Sequence, residues 1–376
     1  MIDGARSASG RRYDVLDGVR GIAAISVMIY HMTMFQNTRL LPSASLAVDL
    51  FFMLSGFVIA HAYGGRINTS EGWKKYLIHR IVRIYPTFVF GILIGVPIFL
   101  GMIVAGKTNI PAQNIIGYAT LNLFFLPAFH PFYTNTMGGL FRTVGEIFPE
   151  NPPSWSLFFE MVVNLFFPLL FKLKINDLRR VIVYSLLAFI IFCISIGIRN
   201  HDFTGIFGGG WGADNFICGI PRVLFGFSLG VLLYRINDSG IVFGLSQKIG
   251  IETVKPVYLY LITIFIFFPI DAFFGFYSIF SIVIVLPLVV LFGSRMSVKN
   301  DYSKMCAQWL GSLSFPIYCV HFPVGRMFNL ISTYYSMPEW VVDIEAVSTT
   351  LLIAYLLAEF YEPFIKRFIR RSLHLK

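Results

Sequence analysis

The stretch LDGVRGIAAISVMIYH, residues 16–31, is almost entirely apolar, and yet it contains an arginine and a histidine, Arg20 and His31. The apolar stretch continues to residue 37, so it is long enough to cross a bilayer, which takes about 20 mainly apolar residues. Because eleven residues at about 100° each make nearly three full turns, Arg20 and His31 project from almost the same helix face. The stretch therefore predicts a membrane helix with one polar face directed at its neighbours.

The composition of the whole chain also indicates a membrane protein. Of its 376 residues, 56% are hydrophobic and only 13% are charged, with a mean hydropathy of +0.71. Soluble globular proteins carry about 25% charged residues, so a water-soluble enzyme is excluded. The 40 phenylalanines also exclude a disordered chain, which cannot hold so much apolar surface in water. The lipid bilayer is therefore the expected surroundings of this chain.

Apolar stretches that end at charged or Pro/Gly-rich joints divide the chain into candidate spans. Ten candidates emerge, at residues 16–37, 44–64, 84–106, 154–172, 181–198, 216–235, 256–270, 276–294, 308–331 and 340–364. An eleventh stretch, 113–128, is broken by polar residues such as Gln113 and Asn122, and we interpret it as a re-entrant or interfacial segment. The predicted fold is all-α, a polytopic membrane protein of about ten transmembrane helices. Residues 1–376 then form a single membrane-embedded domain without a fused soluble domain.

The charges indicate how the chain is oriented. The 30 Lys and Arg exceed the 20 Asp and Glu, giving a net charge of +10. Most of these cations fall in one of the two alternating sets of loops, and short loops rich in Lys and Arg stay on the cytoplasmic side. Both termini are therefore predicted to be cytoplasmic. This placement explains the basic balance without nucleic acid as a partner.

Three ionisable residues are predicted at one depth inside the membrane. Each charged group in hydrocarbon costs about 2.5–3.5 kcal/mol on insertion scales, so each is a candidate for function. His31, Asp49 and Glu160 all lie five or six residues from the outer end of their predicted spans. A carboxylate beside an imidazole fixes its tautomer and helps it to act as a general base, so we predict a catalytic site from these three. The alternative is that each polar group only forms a hydrogen bond between helices.

Two arginines in the loop before the third span suggest a phosphate-bearing ligand. Arg80 and Arg83 are three residues apart and so share a helical face at the cytoplasmic boundary. Guanidinium groups bind phosphates with two parallel hydrogen bonds, and Arg20 would add a third cation. The alternative is that these residues only set the topology and contact anionic lipid headgroups. No spacing of ligands predicts a metal site.

Three further residues lie towards the outer ends of other spans and are predicted to bind substrate: Trp155, Arg222 and His321. Trp155 suits an interface anchor or a stacking platform for a sugar. Arg222 is predicted either to pair with Glu345 as a structural bridge or to stabilise an oxyanion. His321 is predicted to be either a hydrogen-bonded helix contact or a part of the site.

Several stretches together resemble the acyltransferase-3 family of integral-membrane acyltransferases. They are LDGVRGIAAISVMIYH (16–31), SLAVDLFFMLSGFVIA (45–60), RIVRIYP (80–86), PPSWSLFFE (152–160) and LGSLSFPIYCVHFPV (310–324). The similarity extends over about 13–364, and its most specific part is the arginine followed after ten residues by a histidine, together with FFMLSGF.

The resemblance implies transfer of an acyl group, most often acetyl, from acyl-CoA to a hydroxyl group of a carbohydrate or related molecule. It implies that His31 is the catalytic histidine and Asp49 its partner, and that Arg20, Arg80 and Arg83 contact the phosphates of the coenzyme. Some members carry a fused extracytoplasmic domain that completes the transfer. None is predicted here, so either the membrane domain performs the whole reaction or a separate extracytoplasmic partner receives the acyl group.

The leading hypothesis is thus a multi-pass protein of the bacterial inner (plasma) membrane that takes acetyl-CoA, or another acyl-CoA, from the cytoplasm. Its expected acceptor is a hydroxyl group of a cell-envelope or exported glycan. Two alternatives stay open. One is a transporter or flippase of a saccharide or an acylated intermediate, in which the ionisable residues relay protons. The other is an acyltransferase with a small-molecule acceptor.

Overall fold

The computed structural model describes most of the chain between residues 12 and 372. The residues outside the described part are 1–11, 37, 66, 68, 109–110, 130–132, 135–142, 204, 239–243, 245–246, 249, 270–274, 336 and 373–376. The described residues are overwhelmingly helical. Their paired β structure is one antiparallel ladder of two residues a side, Tyr133–Thr134 (β1) with Thr143–Val144 (β2), and an isolated bridge from Glu146 to Gly212.

Twelve helices can be followed along the described residues. They are α1 (Asp14–Phe35), α2 (Leu46–Tyr63), α3 (Ser70–Val104), α4 (Ala112–Leu123), α5 (Ser154–Lys172), α6 (Ile175–Asn200), α7 (Phe216–Asp238), α8 (Pro256–Phe265), α9 (Phe276–Arg295), α10 (Asp301–Tyr335), α11 (Glu339–Leu356) and α12 (Glu362–Ser372). A π-helical turn at Ser281–Val285 lies inside α9, and a second one at Leu357–Tyr361 joins α11 to α12. Short 3₁₀ turns follow α6 and precede α8.

The predicted all-α membrane fold is confirmed. Among the described residues, eight helical stretches are long and apolar enough to cross a bilayer, namely α1, α2, α3, α5, α6, α7, α9, and α11 with α12. Of the other two predicted spans, 256–270 coincides with the ten-residue α8, and 308–331 lies within α10. The number of ten spans and the cytoplasmic side of the termini stay predictions, and the terminal residues 1–11 and 373–376 lie outside the described part.

Two boundaries differ from the sequence-based expectation. The third helix begins at Ser70, where the hydroxyl of Thr69 caps it by accepting a hydrogen bond from the N–H of Gly72 at 3.1 Å, rather than near residue 84. Hydropathy detects only the apolar part of a helix that starts in a charged turn, so Arg80 and Arg83 belong to α3 and not to a loop. The predicted interfacial stretch 113–128 contains α4, whose 12 residues span about 18 Å and are too short to cross the bilayer.

Close helix pairs position the functional side chains. The helices α1 and α10 pack along each other, as do α2 and α7. In the second pair, Cβ atoms at Gly56 or Gly230 would overlap backbone carbonyl groups of the opposite helix, those of Phe227 and Met53. Small residues at these positions let the two backbones meet, which is the usual basis of helix association in membranes. These contacts determine which intramembrane charges can reach each other.

The segment of residues 145–153, just before α5, is fully buried although it is not helical. Non-helical backbone at membrane depth is tolerated where protein surrounds it. An ion pair between Glu146 and Arg326 of α10, at 2.7 Å, holds one end of the segment. These nine residues therefore lie inside the protein.

Candidate active site

Arg20 and His31 lie on the same face of α1, as predicted, and this face is packed against α10. Arg20 donates from Nε to the hydroxyl of Ser314 at 2.9 Å and from Nη2 to the carbonyl of Gly311 at 2.8 Å. It also contacts Asp17 at 3.2 Å. About three turns further along α1, His31 contacts His321 of α10, with 3.0 Å between His31 Nδ1 and His321 Nε2. One helix face thus carries both groups, each with a partner on α10.

The hydrogen bonds of the two histidines determine their tautomers. Nδ1 of His321 lies 3.1 Å and 3.0 Å from the carbonyl oxygens of Ile317 and Tyr318, which only accept, so Nδ1 carries the proton. In the neutral ring Nε2 of His321 then has the lone pair, and it accepts from Nδ1–H of His31. The carbonyl of Val27, 3.0 Å from the same His31 Nδ1, also requires a proton there.

Nε2 of His31 is therefore left with a lone pair, which is the form needed to take up a proton. His321 is completely buried, whereas His31 is partly exposed. A proton accepted at Nε2 would produce an imidazolium whose Nδ1–H already donates to two acceptors, and this stabilises the charge. The arrangement provides a general base without a carboxylate beside it.

The predicted grouping of His31 with two acids is wrong in its geometry. The carboxylate of Asp49 (α2) is bound by Arg222 (α7), with Nε to Oδ1 and Nη2 to Oδ2 both at 2.8 Å. Within the described residues, no hydrogen bond or ion pair joins His31 to Asp49 or to Glu160. Depth along a helix can be counted in the sequence, but the direction of a side chain towards a particular neighbour cannot.

The ion pair of Asp49 and Arg222 belongs to a closed, structural part of the molecule. Both side chains are 2–3% exposed, and the ring of Trp155 lies 5.4 Å from the guanidinium carbon of Arg222. The predicted pairing of Arg222 with Glu345 is wrong, since Glu345 is exposed on α11. Arg222 and Trp155, which we predicted as substrate-binding residues, are thus packed against each other and against Asp49.

Glu160 lines a cavity that ends near the histidine pair. Its Oε1 accepts a hydrogen bond from Nη2 of Arg80 at 2.7 Å and another from the hydroxyl of Ser55 at 2.8 Å. The cavity has a volume of about 100 Å³ and lies between α1, α2, α3, α5 and α10. Its polar lining consists of Arg20, Ser55, Arg80, Arg83, Ser156, Glu160, Ser314 and Tyr318. The three arginines predicted for the coenzyme are thereby brought together.

The three arginines differ in how far their charge is already neutralised. Arg20 is held by Asp17 and Arg80 by Glu160. Arg83 is exposed, and in the described part of the chain it has no hydrogen bond or ion pair. Its fork of N–H donors is therefore available to an anionic ligand at the cavity.

Tyr318 connects the cavity with the histidines. It lines the cavity, its ring centroid lies 5.7 Å from that of His321, and its hydroxyl is 2.7 Å from the hydroxyl of Ser156. Phe51, also in the lining, packs edge-on against the same ring at 5.6 Å. The cavity thus ends about one helical turn short of the His31–His321 pair.

The sequence predicts His321 as a helix contact or a part of the site, but not as the partner of His31. A usable signal existed, because His321 is a second intramembrane histidine in a predicted span, flanked by Pro316 and Pro323. The structure also places two serines, Ser55 and Ser156, at the cavity. No group of three or more His, Cys, Asp or Glu suited to a metal ion occurs among the residues that the structure describes.

Comparison with known proteins decides the family. The sequence profile of an acyltransferase domain, that of the acyltransferase-3 family, matches residues 13–359. The chain belongs to the acyltransferase-3 family. It is accordingly a multi-pass membrane acyltransferase. No solved structure matches the chain.

Curated relatives of this acyltransferase are known from several bacteria. It is 36% identical to "Protein 2 in picA locus" of Rhizobium radiobacter over 163 residues, which is 41% of the chain and 79% of the relative. It is 26% identical to "Acyltransferase MdmB" of Streptomyces mycarofaciens over 245 residues, 61% of the chain and 59% of the relative.

A protein of Staphylococcus aureus (strain COL) named "Putative O-acetyltransferase SACOL0978" is 23% identical over 379 residues, 94% of the chain and 58% of the relative. The chain thus spans less than two thirds of the length of the Streptomyces and Staphylococcus relatives.

Proposed function

We propose that this acyltransferase moves an acetyl group from acetyl-CoA to a hydroxyl group of a cell-envelope or exported glycan, in the inner membrane of a bacterium. The single observation that carries the proposal is the order of groups from Arg83 of α3, through the cavity, to His31 of α1 and His321 of α10. The unpaired Arg83 and the cavity come first, Tyr318 ends the cavity, and His31 with a free Nε2 follows about one turn later. The relative named as an O-acetyltransferase supports the choice of a hydroxyl acceptor.

The donor enters the cavity from the side of Arg20 and Arg83, which we propose to be the cytoplasmic side. A volume of about 100 Å³ is below the roughly 300–1,000 Å³ of pockets that enclose a drug-sized ligand. The nucleotide part of acetyl-CoA is therefore expected to stay at the mouth, where Arg83 meets its phosphates. Only the narrow acyl-bearing arm passes Phe51 and Tyr318, and these two rings must shift to admit it.

At the histidines the reaction needs one proton transfer in each direction. Nε2 of His31 takes the proton of the acceptor hydroxyl while its oxygen attacks the thioester carbonyl, and a C–O bond forms. The resulting tetrahedral intermediate loses the coenzyme thiolate, and the C–S bond breaks. The imidazolium of His31 then returns its proton to the sulfur, so that neutral His31, free coenzyme and the ester remain. His321 accepts from Nδ1–H throughout and keeps the ring in the productive tautomer.

The test is to supply acetyl-CoA, radiolabelled in its acetyl group, to inside-out vesicles that contain the protein, and to identify what becomes labelled. We expect an alkali-labile ester on a carbohydrate fraction, which is absent from vesicles with the His31→Ala variant. Label on a small molecule would favour the small-molecule alternative. Movement of a saccharide across the membrane without any labelled ester would contradict acyl transfer and favour the transporter.

A further inference from the structure

The buried segment 145–153 is attached to α10 next to the histidine pair. The side-chain amide of Asn151 donates to the carbonyl of Cys319 at 2.7 Å. Pro323 lacks an N–H, so the carbonyl four residues before it, that of Cys319, is freed from the helix and can accept this bond. Cys319 is only two residues from His321, a rise of about 3 Å along α10. The segment therefore contacts α10 within one helical turn of His321, the partner of the proposed base.

The segment also packs closely on α3. A Cβ atom at Gly95 would overlap the backbone carbonyl of Glu150, and one at Gly91 would lie 2.8 Å from the side-chain nitrogen of Asn151. The glycines let the non-helical backbone lie directly against the helix. Glu150 and Asn151 are each 1% exposed, so their side chains are held in place and away from lipid.

Three oxygen atoms of this segment have no hydrogen-bond partner among the residues that the structure describes. They are both carboxyl oxygens of Glu150 and Oδ1 of Asn151. The N–H of Glu150 itself is near its own carboxyl group but is not aligned for a hydrogen bond. A buried polar group without a partner costs about 1–3 kcal/mol, so such groups call for a ligand or for a functional reason.

The neighbouring acid of the same segment shows that pairing is achievable there. The carboxylate of Glu146 is bound by Nη2 of Arg326, at 3.0 Å and 2.7 Å to its two oxygens. Arg326 also lies within electrostatic range of both Glu150 and His31. Of the two acids in the segment, Glu146 is thus paired, and Glu150, next to Asn151, has no hydrogen-bond partner in the described part of the chain.

The order of groups along α10 indicates which substrate the carboxyl oxygens of Glu150 and Oδ1 of Asn151 could bind. Ser314 and Tyr318 line the cavity of the proposed donor, His321 contacts the base, and Asn151 and Glu146 bind at Cys319 and Arg326. The segment thus begins where the cavity ends, at Pro153, whose carbonyl accepts from the hydroxyl of Tyr318 at 3.1 Å, and extends to Glu146, which is bound beyond His321 along α10. The groups that bind the acceptor are required on the side that the donor does not use.

We propose that Glu150 and Asn151 form the acceptor subsite and bind adjacent hydroxyl groups of a sugar ring next to Nε2 of His31. This inference rests on the proposed function. Carboxyl and carboxamide oxygens accept hydrogen bonds from hydroxyl groups, and two consecutive residues present three such oxygens. Burial raises the pKa of Glu150 to about 8, so near neutral pH its carboxyl group also donates a hydrogen bond to a sugar oxygen.

The test measures release of coenzyme A from acetyl-CoA by the purified protein in detergent micelles, with methyl α-glucopyranoside as the probe. The pyranoside is expected to accelerate release by the wild type. The Glu150→Leu variant should raise the KM for the pyranoside about tenfold or more and leave the KM for acetyl-CoA unchanged. Its unfolding temperature should stay the same or rise, because an unpaired buried carboxyl group is replaced by an apolar side chain.

The control variant is Ser228→Ala on α7, which removes another fully buried hydroxyl group without a partner. It should leave both KM values unchanged. Glu150→Leu with an unchanged KM for the pyranoside would overturn the inference, and so would a wild type that does not respond to the pyranoside. Labelling of host membranes by acetyl-CoA distinguishes a failure of the acceptor subsite from a failure of the proposed function. If host membranes become labelled, only the subsite is wrong, and if they do not, the proposed function fails as well.

Discussion

Two regions of this membrane protein differ in whether their polar side chains are paired. Between α2 and α7, Asp49 and Arg222 satisfy each other with two hydrogen bonds of 2.8 Å, and the ring of Trp155 packs against the guanidinium group of Arg222. Along the path from the cavity to α1 and α10, Arg83 has no partner among the described residues, and His31 retains a nitrogen with a free lone pair. Because pairing removes both the cost and the reactivity of a charge, the first region is structural and the second is the site.

The largest expected effect on stability lies in the paired region. Asp49→Ala leaves Arg222 as an unpaired buried charge, which costs about 3–5 kcal/mol, whereas the double variant Asp49→Leu/Arg222→Met should recover most of this loss. Denaturation of the purified protein in detergent measures both. A single variant that is as stable as the wild type but inactive would show that Asp49 takes part in catalysis, as the sequence alone suggested.

The next effect concerns the orientation of the base. His321→Ala removes the acceptor of Nδ1–H and should lower kcat about 10- to 100-fold, which corresponds to one hydrogen bond to a charged group. The KM for acetyl-CoA should not change. His321→Gln offers a carbonyl oxygen in a similar place and should restore part of kcat. If both variants lose activity equally, His321 is a packing residue and the tautomer argument is wrong.

The unpaired arginine should show a smaller effect, limited to the donor. Arg83→Ala is expected to raise the KM for acetyl-CoA about tenfold, since hydrogen bonds to charged groups contribute about 1.5–3 kcal/mol. The matched control is Arg180→Ala on α6, an exposed arginine paired with Asp177 at 3.0 Å, which should leave this KM unchanged. An equal effect of the two variants would mean that general surface charge, and not a specific phosphate contact, is responsible.

A pH dependence of stability is expected from Glu150, whose carboxyl group is faced by Arg326 and Glu146. Its pKa of about 8 in the folded protein exceeds the ordinary value of 4.5, so between these values the folded state binds more protons than the unfolded state. The free energy of unfolding should therefore fall as the pH rises through this window, by at most about 1.4 kcal/mol per pH unit.

The Glu150→Gln variant should show a weaker fall in the free energy of unfolding over the same pH range. Thermal or denaturant unfolding at several pH values measures both proteins. Identical pH profiles would show that the carboxyl group of Glu150 does not titrate in this window.

Local periodicity predicted what lies on one helix, and long-range packing decided the rest. Arg20 and His31 could be placed on one face because eleven residues make nearly whole turns. The partner of Arg222 could not be predicted, since the adjacency of α2 and α7 depends on close contacts at Gly56 and Gly230 that hydropathy does not register. For the same reason the sequence identified His321 as a candidate but did not show that it contacts His31.

The central claim is that His31 supplies the base, and the acetyl transfer rate of His31→Ala tests it most directly. The rate per molecule is measured with acetyl-CoA on protein that is matched to the wild type in its unfolding temperature, with His61→Ala on α2 as the control. We predict a rate at least 100-fold below the wild type for His31→Ala, because general base catalysis contributes about 10²–10⁴-fold, and a nearly unchanged rate for the control. A His31→Ala protein that transfers acetyl within a few-fold of the wild-type rate would contradict the account.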